Sequence, residues 1–199
     1  MKKYLRLTFI VAMLSVITVA SAQVRLGVKG GVNASNFNGQ DNNKAKIGFN
    51  VGVLADYDFA PNVGLQSGLF ATTKGFKYKE NSLEYTDNLV YVQLPVHIAF
   101  KVDVTPGTKV FLHGGPYFAY GVGGKRSLAV GSFEGSSDKV FGDGTFQYKS
   151  FDAGLGIGAG IELGQLLFDL GWDMGLVDIS NSSKSIKNQN AYLSVGFKF

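Results

Sequence analysis

Two histidines are the residues whose type and spacing come closest to a catalytic or metal-binding pair. His97 and His113 lie almost symmetrically about the tight turn at Pro106-Gly107, which predicts that they are cross-strand neighbours. A metal site would need a third ligand, and acid–base catalysis would need a positioned nucleophile. No spacing in the sequence supplies either. The sequence therefore predicts a protein without enzymatic activity, cofactor or metal; a membrane-embedded enzyme that uses both histidines is the alternative.

Carboxylates and cations form a second set of candidates, because they share one face of the strands described below. Buried charges must be paired or hydrated, and the interior of a small barrel is filled by side chains. We therefore predict a plug of ion pairs, with a narrow pore for ions or small solutes as the alternative. The predicted polar network of the interior comprises Arg25, Lys29, Asp56, His97, Lys101, His113, Asp152, Glu162, Asp169, Asp173 and Lys198, with Asp58, Lys74 and Lys109 on the same face.

The elements that carry these residues repeat with a period of two. Bulky apolar residues alternate with charged or small residues, as in Val24, Leu26 and Val28 against Arg25, Gly27 and Lys29. Such alternation is typical of β-strands with two different faces. Eight segments show it, at residues 24–34, 46–58, 63–76, 89–102, 108–123, 150–163, 166–177 and 189–199.

The connections between these segments alternate in length. Short turns are predicted at 60–62, 106–107 and 164–165, long loops at 35–45, 77–88 and 124–149, and a connection of moderate length at 180–188. Bacterial outer-membrane barrels have short periplasmic turns, longer extracellular loops and, with an even strand number, both termini in the periplasm. The predicted fold class is all-β: an eight-stranded antiparallel up-and-down transmembrane β-barrel.

Glycine distribution indicates which face points inward. Many of the 27 glycines fall on the polar face, where a narrow interior leaves little room, while the rows of bulky apolar residues suit lipid. A soluble periplasmic lipocalin-like ligand binder would place its apolar face inside and its charges outside. That soluble barrel is the other alternative, and outer-membrane lipids are the first predicted partner.

The N-terminus has the pattern of a cleaved secretory signal peptide. Lys2, Lys3 and Arg6 precede an apolar run at 7–19, and small residues follow at 20–22. The run of about 13 residues is shorter than the roughly 20 needed to span a membrane. We predict a signal peptide at 1–22 and a barrel domain at 23–199.

Removal of this segment would also change the charge balance. Loss of its three basic residues leaves 16 basic against 15 acidic residues, so the charge gives no support for nucleic-acid binding. The chain has no cysteine, which excludes a lipid-anchored lipoprotein and a disulfide framework. Export without cysteine fits a protein of the bacterial envelope.

The last strand carries the pattern of an insertion signal. It ends on Phe199, with Phe197, Val195 and Leu193 at alternate positions before it. This ending resembles the C-terminal signal that the outer-membrane insertion machinery recognises. Phe197 and Phe199 are the predicted insertion signal, and that machinery is a predicted partner during biogenesis.

Three inner segments resemble one family. Tyr91-Val92-Gln93-Leu94-Pro95-Val96-His97 is similar to the Y-L-E-I-P-L stretch of the PorT-like outer-membrane β-barrel family of Bacteroidetes, with Gln93 where an acidic residue is common. Gly114-Gly115-Pro116-Tyr117 resembles its G-x-G-P-Y strand, and the segment at 152–162 resembles its D-x-G…G-x-G-x-E strand. The resemblance implies an outer-membrane barrel and no reaction. One family member is associated with a secretion system, but the shared motifs are strand-packing features and do not carry that role.

Specific function is therefore expected in the loops. Long loops on a rigid scaffold commonly carry recognition. The segment 124–149 places seven charged residues among glycines and serines. We predict a structural, adhesion or assembly-support role through the extracellular loops, with 124–149 as the binding segment for an extracellular partner; a flexible surface cover is the alternative.

Overall fold

The computed structural model describes residues 24–38, 44–80, 83–131, 133–145, 147–182 and 184–199. The predicted signal peptide at 1–22 lies outside these residues. No helix long and apolar enough to cross a membrane occurs within them. Their nine strands are β1 Val24–Asn38, β2 Lys44–Ala60, β3 Val63–Glu80, β4 Leu83–Thr105, β5 Thr108–Val130, β6 Phe133–Ser137, β7 Phe151–Leu163, β8 Leu166–Gly175 and β9 Lys187–Lys198.

Eight of the nine described strands close into a ring. Each pairs antiparallel with its neighbours in the order β1, β2, β3, β4, β5, β7, β8, β9, and β9 pairs with β1. The remaining described strand, β6, pairs with β5 outside the ring. The predicted eight-stranded antiparallel barrel is confirmed, and β6 is an addition that the sequence did not predict.

The prediction of long loops at 77–88 and 124–149 is wrong over much of each segment. β3 and β4 continue to the hairpin between Glu80 and Leu83, where Tyr78 faces Tyr85, and β5 and β6 occupy half of 124–149. Cross-strand aromatic pairs stabilise such hairpins. A bulge places Val122 as an extra residue opposite β4, and it shifts the alternation by one residue. β3 to β6 therefore extend beyond the ring as a protruding sheet.

The outer face of the ring is apolar. Leu170 on β8 is 61% exposed, and Ile157 on β7 and Leu112 on β5 are also exposed. On β2 the exposed apolar residues run from Ile47 to Phe59. The twelve steps between these two residues rise by about 31 Å at ~3.4 Å per residue and a tilt of roughly 40°. We call this band the apolar belt; it is tall enough to cover the band of about 25 Å that faces lipid in outer-membrane barrels.

Glycines that face inward leave space for the other side chains of the barrel interior. Gly154 on β7 is one of them, and its replacement by alanine should destabilise the fold. A Cβ atom at Gly154 would press on the carbonyl oxygen of Met174 and lie 2.7 Å from the Tyr117 ring. We expect Gly154→Ala to lower the free energy of unfolding by about 1–3 kcal/mol, because the core must shift to admit the methyl group. Urea unfolding in detergent micelles measures this loss.

The matched control is Gly123→Ala, because a Cβ atom at Gly123 meets nothing within 4 Å. Gly123→Ala should shift the midpoint of urea unfolding no more than an ordinary surface substitution does. Equal midpoints for the two variants would mean that the interior around β7 is not tightly packed.

Candidate functional site

The interior is a stack of polar layers, and the lowest one lies near the short turns. Asp56 accepts hydrogen bonds from Lys101 Nζ at 2.6 Å and from Lys198 Nζ. Lys198 also donates to Glu162, at 2.5 Å. The layer thus pairs three cations with three carboxylates, and the two partners of each pair lie at least 31 residues apart in sequence. Its members are Arg25, Lys101, Lys198, Asp56, Asp58 and Glu162.

The two histidines belong to the next layer. Their rings stack with centroids 5.0 Å apart, and the Nδ1 atoms of His97 and His113 are 2.8 Å apart. His113 Nε2 lies 3.0 Å from Asp169, which also accepts from Lys29 Nζ at 2.6 Å. Because Asp169 is an acceptor, His113 donates to it through Nε2, and one of the two Nδ1 atoms donates to the other. The histidines thus form one hydrogen-bonded chain that ends on an ion pair.

A third layer surrounds two further buried carboxylates. Asp152 accepts from Lys74 Nζ at 3.1 Å and from Asn188 Nδ2 at 2.8 Å. Lys74 Nζ also lies 4.3 Å from the centre of the Tyr117 ring, a cation–π distance. Asp173 accepts from Gln93 Nε2 at 2.9 Å. Each buried charge therefore has a partner, which is the condition for burying it.

One cavity lies among these layers. Its volume is about 60 Å³, and its lining includes Lys29, Asn50, Gln93, His97 and Tyr192. Unpartnered polar atoms face this region, among them Asn50 Nδ2 and His97 Nε2. The space suits a few water molecules bound to these atoms. Within the described residues, no group of three or more histidine and carboxylate side chains is placed to hold a metal ion.

An apolar cluster closes the mouth of the barrel above the polar layers. Val140 and Tyr148, from the connection after β6, are only 1% and 6% exposed. Tyr148 bridges to Phe141 and to Ser180. The cluster consists of Phe37, Phe76, Leu89, Tyr91, Tyr117, Ala119, Val140, Tyr148, Ile179 and Ile186.

This cluster corrects the interpretation of 124–149 as a surface loop. Val140 and Tyr148 are apolar enough to bury against the inward residues of neighbouring strands, so this connection folds into the mouth. The protruding hairpin of β5 and β6 stays accessible to a partner, with exposed residues such as Phe133.

Asp87 anchors the closed mouth. Its buried carboxylate accepts two hydrogen bonds from Arg126, at 2.8 and 2.9 Å, one from Tyr148 Oη at 2.5 Å and one from Tyr85 Oη at 3.1 Å. Burial, and then the charge of Asp87, raise the pKa of Tyr148 and the pKa of Tyr85. Both hydroxyls therefore stay protonated and donate to Asp87.

We expect Asp87→Asn to loosen the segment that fills the mouth. The change removes the charge that holds Arg126 and Tyr148, and hydrogen bonds to a charged group contribute about 1.5–3 kcal/mol each. Trypsin should then cut the folded protein faster beside Lys139 and Lys149, which flank the buried residues. The control is Asp143→Asn, at an exposed position of the same connection. Unchanged cleavage by trypsin in the Asp87 variant would show that Asp87 does not hold the segment.

The structure brings the sequence-predicted interior residues into the three layers, except Lys109, which pairs with the exposed Asp103 at 3.4 Å. Arg25 is the most exposed of them, at the lower opening. Sequence reasoning missed Asp87 and Arg126, which it left in loops. The sequence did indicate that Asp87 faces inward, because it continues the alternating inward positions of β4 that include Leu89 and Tyr91. Phe197 and Phe199 lie on the outer side, with ring centroids 5.8 Å apart.

Comparison with known proteins identifies a family. Residues 19–181 match the family model described as outer membrane protein beta-barrel domain. No curated protein matches the chain.

Solved structures with a similar fold include those of three bacterial proteins. Ail, the attachment invasion locus protein of Yersinia pestis, is 16% identical, with a TM-score of 0.47, covering 89% of this chain and 99% of its own. Neisserial surface protein A is 14% identical, with a TM-score of 0.46 and coverages of 87% and 97%. OprG from Pseudomonas aeruginosa is 14% identical, with a TM-score of 0.46 and coverages of 89% and 96%.

Proposed function

We propose that this chain, which belongs to the outer membrane protein beta-barrel domain family, is a non-enzymatic adhesion protein of the bacterial outer membrane. The family assigns it to that membrane. The proposed role is contact with an external partner through the protruding sheet of β3 to β6. The observation that carries the proposal is the open edge of β6.

The open edge is a row of backbone groups available for pairing. Among the described strands, β6 pairs with β5 alone, through Phe133 opposite Val130 to Ser137 opposite Arg126. An unpaired edge can add a strand from another protein, with side chains supplying specificity. Phe133 is 68% exposed at the start of this strand. The edge and Phe133 together offer backbone hydrogen bonds and one apolar anchor.

The orientation follows from the lengths of the connections. Val24 and Lys198 lie at the end of the barrel that carries the short turns. Short turns are periplasmic in bacterial barrels, so we place both termini in the periplasm and the protruding sheet outside the cell. We also propose that the chain crosses the membrane eight times and that its signal peptide is cleaved after Ala22. The insertion machinery recognises Phe199 in this proposal, and the chain is a member of the PorT-like group of Bacteroidetes.

A narrow pore is the second candidate, supported by the cavity of about 60 Å³. The ion-pair layer below it and the apolar cluster above it oppose conduction. Steady single-channel steps from the full chain in planar bilayers would favour the pore. A soluble ligand binder is less compatible with the structure, because the apolar residues lie outside and the charges inside.

The adhesion proposal is tested on bacteria that display the full chain. Attachment to an epithelial cell layer should rise on expression, and Phe133→Lys with Ser137→Lys should remove most of that gain, since lysine protects an edge from strand addition. Asp143→Lys is the control outside β6. Attachment that survives the double substitution would contradict the role of the β6 edge. No gain from the unsubstituted chain would reject adhesion itself.

A further inference from the structure

Two lysines lie together where the outer face of the barrel meets the protruding sheet. Lys44 on β2 and Lys77 on β3 are direct cross-strand partners, and both are exposed. Side chains opposite each other in this way have Cβ atoms about 5 Å apart, and like charges there are destabilising. The nearby Lys46 is not part of this pair, because it is only 8% exposed and lies opposite the buried Ser35. We call Lys44 and Lys77 the rim lysines.

The rim lysines have no carboxylate partner in the described part of the chain. The next lysine outward, Lys79, shows the contrast, because it pairs with Glu84 at 3.1 Å. Lys125 adds a further exposed cation nearby, opposite Asn88, which in turn faces Gly75 on β3. Among the side chains that the structure describes, the fold thus gathers positive charge at this place without a paired carboxylate.

The apolar belt begins directly below the rim lysines. Ile47 follows Lys46 in sequence and is 71% exposed, and Phe49 is exposed two residues further on. In the orientation proposed above, these apolar residues contact acyl chains of the outer leaflet. The ammonium groups of the rim lysines then lie at the height of the lipid headgroups.

We propose that the rim lysines bind the phosphate groups of an anionic lipid in the outer leaflet, whose acyl chains pack on Ile47 and Phe49. The proposal rests on the membrane orientation given under the proposed function. Phosphate oxygens would relieve the repulsion between Lys44 and Lys77, and basic residues near an anionic lipid surface contribute to binding additively. The adjoining apolar surface favours a lipid over free phosphate.

The test uses the full chain inserted in phosphatidylcholine vesicles. Insertion is scored first, by faster gel migration of the unheated sample, and diphosphoryl lipid A is then titrated while the temperature of unfolding is followed. Lipid A should raise this temperature for the unsubstituted chain. Lys44→Gln with Lys77→Gln should weaken the apparent affinity by about fivefold for each lysine. Lys139→Gln with Lys149→Gln makes the same charge change elsewhere and should have no effect.

The other results of this titration separate the lipid site from the membrane orientation. Unchanged lipid A binding by the Lys44 and Lys77 variant would overturn the proposal, and so would equal binding of dephosphorylated lipid A. Equal stabilisation by inorganic phosphate at the same concentration would overturn the assignment to a lipid. A chain that does not insert in phosphatidylcholine, before any lipid A is present, would reject the membrane orientation and the lipid site with it. Insertion without a response to lipid A would reject the lipid site alone.

Discussion

Replacing Asp56 by asparagine is expected to lower the free energy of unfolding by about 3–5 kcal/mol, the cost of breaking a buried ion pair on one side. Asp56 is fully buried and accepts from both Lys101 and Lys198. Its neutralisation leaves three cations facing the carboxylates of Asp58 and Glu162 in a space with little water. The side chain keeps its size, so the loss is one of charge and not of packing.

Urea unfolding of the refolded chain in detergent micelles measures this effect. The control is Asp103→Asn, which removes an equal charge from an exposed pair with Lys109 at 3.4 Å. Exposed pairs contribute about 0–1 kcal/mol. Similar midpoints for the two variants would mean that the lower layer is hydrated and contributes little to stability.

Leu170→Arg should be the most damaging single substitution on the outer face. Leu170 lies at the middle of β8, opposite Ala159 and Leu193, and therefore near the middle of the apolar belt. Arginine on the lipid face at the bilayer midplane costs about 2–4 kcal/mol. The same change at an exposed site of a soluble protein stays within about 0.5 kcal/mol.

The comparison variant is Phe133→Arg, which changes a side chain of similar exposure on the protruding β6. It should insert in lipid vesicles as well as the unsubstituted chain, while Leu170→Arg should give a clearly lower yield of inserted protein. Flotation of vesicles on a density gradient separates inserted from free chain. Equal yields would show that the belt does not face lipid.

The alternation of apolar and polar residues along each strand made the two faces of the barrel predictable. Once Val24 and Leu26 are placed outside, Arg25, Lys29 and their counterparts on other strands must point inward. The pairing of His113 with Asp169 could not be obtained in this way, because 56 residues separate them and periodicity does not fix which strands become neighbours at which height. Register within the closed ring supplies that information.

The mouth and the protruding sheet were less predictable for two physical reasons. The bulge at Val122 changes the phase of the alternation, so the residues beyond it no longer continue the pattern. Burial of Tyr148 depends on Asp87, 61 residues away, and the polar residues on either side of Tyr148 give no local sign of it. The rim lysines come together for a similar reason, because Lys44 and Lys77 meet only when β2 and β3 extend past their predicted ends.

The stack of layers suggests what the polar interior does. Its ion pairs join strands that are remote in sequence, such as β2 to β9 through Asp56 and Lys198, and β1 to β8 through Lys29 and Asp169. These pairs tie together strands that are not neighbours in the ring, such as β2 and β9 on either side of β1. The interior therefore holds a rigid scaffold for the protruding sheet, and we expect external contacts to be made by that sheet.

Gel migration of the native protein from fractionated cells is the decisive measurement for an outer-membrane barrel. Unboiled and boiled samples of the outer-membrane fraction are run side by side. We expect the protein in this fraction, with a faster band in the unboiled sample, because the closed ring stays compact in detergent until it is heated. Recovery in the soluble periplasmic fraction without a mobility shift would contradict the membrane barrel and restore the soluble ligand binder as the leading explanation.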